Sequence, residues 1–88
     1  MRLSNAADLG RYVKDRRRSA SMTQAQLADR AGVSLRWLSG LESGKPTAEV
    51  GLVFKVMSAL GLFLDARLEP KDDIDLDAYL DSLGEKSP

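Results

Sequence analysis

Apolar positions recur at helical spacing over four stretches of the chain and alternate over one. From about Asn5 to Ser19, Ala6, Leu9 and Val13 share a face at i, i+3 and i+7. Asn5 is placed to cap this helix, Asp8 lies near its positive end, and Arg16, Arg17 and Arg18 close it at its negative end. Thr23-Gln24-Ala25-Gln26 opens the second helix with the signature of a capping box, Leu27, Ala28 and Ala31 supply its inner face, and Gly32 follows as a residue of positive φ. Ser34 is the expected N-cap of the third helix, which runs from Leu35 to about Ser43 with Val33, Leu38 and Leu41 facing inward; Gly44 and Pro46 stop it. Thr47 is the expected cap of the fourth, Ala48 to Leu60, ended by Gly61. Its apolar residues, among them Val50, Val53, Phe54, Val56 and Met57, cover more than one stripe, so most of its sides must be buried. One side can meet the preceding helices. The other needs a second partner, and the same helix of a sister chain would serve.

The alternating stretch is "LFLDARL", residues 62–68, where Leu62, Leu64, Ala66 and Leu68 interleave with Phe63, Asp65 and Arg67. No second strand is legible in the chain, and a lone strand leaves its backbone groups unpaired. Pairing with its own copy across a two-fold axis resolves this; the alternative is an irregular apolar segment lying on the core. Phe54 with Leu62, Phe63, Leu64, Ala66 and Leu68 makes up the expected dimer surface. The expected fold is all-α: four helices with a short C-terminal strand pairing across a homodimer, residues 1–68 forming the domain and 69–88 a tail. In the tail, Leu76, Tyr79, Leu80 and Leu83 share the spacing of a short amphipathic helix, with Ile74 just before them, among Asp72, Asp73, Asp75, Asp77 and Asp81. A helix of about nine residues does not hold alone in water, so this segment is docked on a partner or disordered until it meets one.

Composition narrows the chemistry. The 88 residues contain no cysteine and no histidine, which excludes disulfides, thiol nucleophiles, Cys/His metal sites and histidine acid–base catalysis. With no Gly-rich phosphate loop either, an enzyme is not expected, nor any metal or cofactor. No apolar run spans a bilayer and no signal core opens the chain, so a cytoplasmic setting is expected. The net charge of zero hides a division: residues 1–68 hold eleven Lys/Arg against six Asp/Glu, and residues 69–88 hold two against seven. A basic body with an acidic tail fits a polyanion-binding domain with a separate interaction segment, or a merely solvated tail.

Two short helices joined through a glycine turn form a helix-turn-helix pattern, whose second helix enters the major groove of DNA. Ser34, Leu35, Arg36, Ser39 and Gly40 then face solvent or bases. Arg36 is the sharpest base reader, because its guanidinium matches guanine O6 and N7; Ser39 can donate, and Leu35 can meet a thymine methyl. Gly40 either admits a close backbone or is a tolerated helix glycine. Thr23 and Gln24, at the start of the second helix, are candidates for phosphate contact, with Lys45 and Arg18 as weaker ones or plain surface charges. Trp37 is expected to pack between helices, partly buried. Glu42 would repel phosphate, so a structural pairing with an arginine at the end of helix one, Arg17 first, explains it better and would lock the first helix onto the third.

"TQAQLADRAGVS" followed by "LSGLESGKP" resembles the phage Cro/repressor-type (XRE) helix-turn-helix family over roughly Leu9 to Leu62. "VSLRWLSGLESGKPTAEVGLVFKVMSALGLFLDARL" is similar to the HipB-like antitoxins of bacterial type II toxin–antitoxin modules. The resemblance implies a homodimer with an intersubunit β-ribbon that binds a palindromic operator, represses its own operon, and binds a HipA-like serine/threonine kinase toxin. It also implies phosphate contact at Gln24 and base contact at Ser34, Leu35, Arg36 and Ser39. The acidic run from Asp72 to Asp81 departs from the family motif. A stand-alone regulator without a toxin partner, and an interaction module that has lost DNA binding, remain as alternatives.

Overall fold

The computed structural model of the chain describes residues 2–68. Four helices follow one another: α1 Ala6–Ser19, α2 Gln24–Ala31, α3 Leu35–Glu42 and α4 Val50–Ala59. Side-chain caps start the first three. Asn5 Oδ1 accepts from the Asp8 amide at 2.8 Å, while the Asp8 carboxylate accepts from the Ser4 amide at 3.0 Å and pairs with Arg11. Thr23 and Gln26 form a reciprocal capping box, at 3.1 Å to the Gln26 amide and 2.8 Å back to the Thr23 amide. Ser34 Oγ accepts from the Trp37 amide at 3.0 Å. A side-chain cap of this kind is worth about 1 kcal/mol.

The start of α4 differs from the sequence expectation. Thr47 caps nothing: the helix begins at Val50, and the preceding Glu49 makes no side-chain cap bond. Thr47, Ala48 and Glu49 are all exposed, so no buried contact holds that stretch helical, and the first turn forms where Val53 anchors it in the core. A helix of this length draws its stability from packing rather than from a cap or propensity. The other unforeseen feature is the end of α1, where Ser21 takes a left-handed conformation at φ 57 and the Met22 amide returns to the Arg17 carbonyl at 3.1 Å. A non-glycine residue there costs on the order of 1 kcal/mol, and no glycine marks the place in the sequence.

Each helix contributes to one core. Val13, Leu27, Leu38 and Val56 are fully buried, joined by Ala28, Leu41, Val53 and Met57. Burying a side chain of this size yields about 1.5–3 kcal/mol. Leu9, Val33, Trp37, Leu60 and Leu62 pack, half-buried, against this cluster. α1 packs on α3, and α2 packs on both α3 and α4. The junction of α1 with the end of α3 is close: a Cβ built on Gly10 would lie 2.2 Å from the Leu41 carbonyl oxygen, and one on Gly44 would lie 3.1 Å from Ala7 Cα. Gly44 also takes φ 87, so it both ends α3 and lets α1 lie against the turn.

Residues 62–68 lie in neither a helix nor a paired strand, and there is no strand among the described residues. Leu62 packs on the core. Phe63 is 87% exposed and Leu68 68%; Leu64 and Ala66 are also exposed, as are Phe54 and Val50 on α4. The tail positions Ile74, Leu76, Tyr79, Leu80 and Leu83 lie outside the described residues.

Candidate nucleic-acid interface

The site is a helix held from behind. On the inner side of α3, Leu38 and Leu41 are buried in the core and Glu42 joins them although it carries a charge. Two bonds from Arg17 meet its carboxylate: Nε to Oε2 at 2.7 Å and Nη2 to Oε1 at 2.9 Å. Arg17 Nη1 donates to the Met22 carbonyl at 2.7 Å, and Gln24 Nε2 donates to Glu42 Oε1 at 3.0 Å. One carboxylate therefore ties the end of α1, the turn after it, the start of α2 and the end of α3 into a single network. No buried side-chain nitrogen or oxygen is left without a partner among the described residues.

The electrostatics follow from this geometry. Burial pushes the Glu42 carboxyl up, but the hydrogen bonds from Arg17 and Gln24, with the positive charge of Arg17 and Lys14, outweigh it and hold the group below its ordinary value. The hydrogen bond to Glu42 raises Arg17 above its ordinary value against the opposing effect of burial. Both groups therefore stay charged at neutral pH, and a buried pair with its remaining donors satisfied is the arrangement that offsets its own desolvation.

The outer side of α3 is the reverse. Ser34, Leu35 and Arg36 are exposed, and Ser39 and Gly40 are half-exposed. Arg36 has no hydrogen-bond or ion-pair partner among the described residues. Lys45, which the backbone turn after α3 brings back, lies along this side: a Cβ on Gly40 would meet Lys45 Cδ at 3.6 Å, ordinary contact. Ser34, Arg36, Trp37, Gly40, Lys45 and Thr47 line a shallow groove of about 230 Å³. Trp37 is half-buried, its ring packed on the core while part of it reaches this groove.

The residues expected near phosphates are placed less uniformly. The Thr23 hydroxyl accepts in the capping box and keeps its hydrogen to donate. Gln24 is half-buried, and one of its amide hydrogens is engaged by Glu42; its second hydrogen and its carbonyl oxygen stay available. The backbone amides of Gln24 and Ala25, in the first turn of α2, have no partner within the helix, as at any helix start. Arg18 is exposed in the last turn of α1 with no partner among the described residues. The sequence reading missed three things. Gly10 allows the approach of α1; its signal was a glycine inside a helical pattern. Gln24 is oriented by Glu42, and Lys45 is folded back over Gly40; neither had a sequence signal. Among the described residues, no three acidic side chains gather as a metal site would need, and no helix is long and apolar enough to cross a membrane.

The helix-turn-helix domain family matches residues 8–69, more than half of the chain. The chain belongs to the XRE-type helix-turn-helix family. This is a family of DNA-binding transcriptional regulators. The chain is 42% identical over 64 residues to the "Uncharacterized HTH-type transcriptional regulator y4mF" of Sinorhizobium fredii (strain NBRC 101917 / NGR234), covering 73% of this chain and 84% of that one. Its fold is similar to that of the solved "HipB-O4 20mer complex", with a TM-score of 0.74 at 20% identity, covering 80% of this chain and 99% of the other. It is likewise similar to the "HipB-O1-O2 complex", with a TM-score of 0.71 at 21% identity, covering 76% of this chain and 97% of the other. In the helix-turn-helix frame, α2, the turn through Gly32, and α3 are the motif, with α3 as its second helix.

Proposed function

We propose that this protein is the antitoxin of a type II toxin–antitoxin module. As a homodimer it binds a palindromic operator upstream of its own operon, represses that operon, and binds and restrains a HipA-like serine/threonine kinase. The observation that carries the DNA half is the outer side of α3, where Arg36, unpaired among the described residues, lines one groove with Ser34 and Lys45, on a helix whose inner side is locked. Arg36 is the base reader, assisted by Ser34, Leu35 and Ser39; Thr23, Gln24, Lys45 and Arg18 hold phosphates. The two recognition helices of the dimer would lie about 34 Å apart, one turn of B-DNA. Support for the dimer is the run of large exposed apolar residues from Val50 to Leu68, which a second copy of α4 and of residues 62–68 would cover. Support for the antitoxin half is the likeness of fold to HipB together with the Trp-Leu-Ser and Glu-Ser-Gly-Lys-Pro-Thr runs of the sequence. Residues 1–68 form the DNA-binding and dimerisation domain and 69–88 a separate acidic segment, in the bacterial cytoplasm. Mobility-shift titration on the upstream duplex, with and without the product of the neighbouring gene, tests both halves. Sequence-specific binding that weakens steeply with salt, and co-purification with a kinase-like protein, are expected. Equal binding to scrambled duplex overturns the repressor. Specific binding with no kinase partner leaves the second reading, a stand-alone regulator.

A further inference from the structure

Among the described residues, no carboxylate forms an ion pair with the cations of the face that would meet DNA. Of the six carboxylates in residues 2–68, three are engaged by Arg11, Arg17 and Arg67, and none pairs with Arg36 or Lys45. The chain nonetheless carries the missing charge, since residues 69–88 hold seven Asp/Glu against two Lys/Arg. We propose that this acidic tail lies over the outer side of α3 while the protein is free of DNA and is displaced when DNA binds. The inference rests on the DNA-binding reading above.

The match is of two kinds. Arg36 and Lys45 supply cations in one groove with the rim of Trp37, and Leu35 (50% exposed), next to Arg36 on α3, supplies further apolar surface. The tail supplies both complements in alternation, with Asp72, Asp73, Asp75, Asp77 and Asp81 set among Ile74, Leu76, Tyr79 and Leu80. Reach permits it. Asp72 and Asp81 lie four and thirteen residues beyond Leu68, about 14 and 45 Å of extended chain, while a domain of this size is about 28 Å across. Tethering also helps, because a short linker presents the tail at an effective concentration on the order of millimolar, so contacts too weak for a free peptide suffice. If the covered form holds about nine-tenths of the population, apparent DNA affinity falls about tenfold. The tail then acts as a threshold: DNA must outcompete it, and any partner that takes the tail strengthens DNA binding.

The test uses the full chain and two variants that leave residues 2–68 untouched. One carries Asp72→Asn, Asp73→Asn, Asp75→Asn, Asp77→Asn and Asp81→Asn. The other keeps every charge and carries Leu76→Ser, Tyr79→Ser, Leu80→Ser and Leu83→Ser. Zero-length carbodiimide cross-linking followed by mass spectrometry maps which lysine the tail carboxylates meet. Affinity is measured on the duplex upstream of the gene and on a random duplex of equal length. Cross-links to Lys45 that disappear on adding duplex are expected, with tighter DNA binding by both variants, about tenfold for the asparagine one. Cross-links to Lys14 or Lys55 instead, cross-links unaffected by duplex, or tighter binding by the asparagine variant alone each overturn the proposal, the last reducing the effect to long-range charge. A tail that cross-links only to an added kinase overturns it as well. If Lys45 cross-links form while no version binds either duplex, the tail contact stands and the DNA-binding reading fails.

Discussion

On its inner side α3 presents Leu38, Leu41 and Glu42, each buried and each in contact with α1, α2 or the core. On its outer side, less than a turn away, Ser34, Leu35 and Arg36 face outward, and Arg36 pairs with nothing among the described residues. The two sides of one eight-residue helix thus differ in how fully their chemistry is used within the chain. A helix this short has little stability of its own. Its position is set by what grips its inner side, and that grip leaves the outer side free to be complementary to something else. Changes on the inner side should therefore cost stability, and changes on the outer side should cost binding alone.

The largest expected effect breaks the grip. Glu42→Ala strands the Arg17 guanidinium and frees Gln24, and removing one partner of a buried pair costs about 3–5 kcal/mol. Urea unfolding followed by circular dichroism should show it, and a loss of under about 1 kcal/mol would mean that the pair behaves as an exposed one. The same pair predicts a pH dependence. The folded Glu42 carboxyl lies below its ordinary value of 4.5, so its contribution is complete above that value and is lost as pH falls through the lowered folded one. The stability gap between wild type and Glu42→Gln should close on acidification below 4.5; a gap that widens there would reverse the sign of the argument.

Next comes the junction that the pair secures. Gly10→Ala improves helix propensity by about 1 kcal/mol but drives a methyl into the Leu41 carbonyl, and main chain yields poorly, so a net loss of about 1–3 kcal/mol is expected in the same unfolding experiment. On the outer side, Arg36→Ala should leave unfolding unchanged and cost about 1–3 kcal/mol of specific DNA binding, with relaxed discrimination at one base pair. Equal loss on specific and scrambled duplexes would place Arg36 on phosphate. The smallest effect separates two readings of one residue. Gly40→Ala has room, with only Lys45 Cδ at 3.6 Å, and should stabilise the fold by up to about 1 kcal/mol. If DNA affinity drops at the same time, the backbone at Gly40 approaches DNA closely; if it holds, the glycine is merely tolerated.

Local signals made most of the fold legible in advance. The caps at Asn5, Thr23 and Ser34 and the stops at Gly32, Gly44 and Gly61 act within one turn of the chain, so their residue types alone locate the helices. The periodicity of Val13, Leu27, Leu38 and Val56 chose the buried sides, because a helix that short can be stable only with its apolar stripe covered. Even Glu42 could be matched to Arg17 by charge, since a carboxylate on a helix expected to meet phosphate needs another employment. What the sequence could not decide were the matters that depend on two segments meeting. α4 begins at Val50 rather than at the residue after Thr47, because packing and not capping selects its first turn. Gly10 is required by the main chain of α3, Gln24 is oriented by a carboxylate eighteen residues on, and Lys45 is folded back over Gly40; each is a through-space distance that no spacing along the chain encodes.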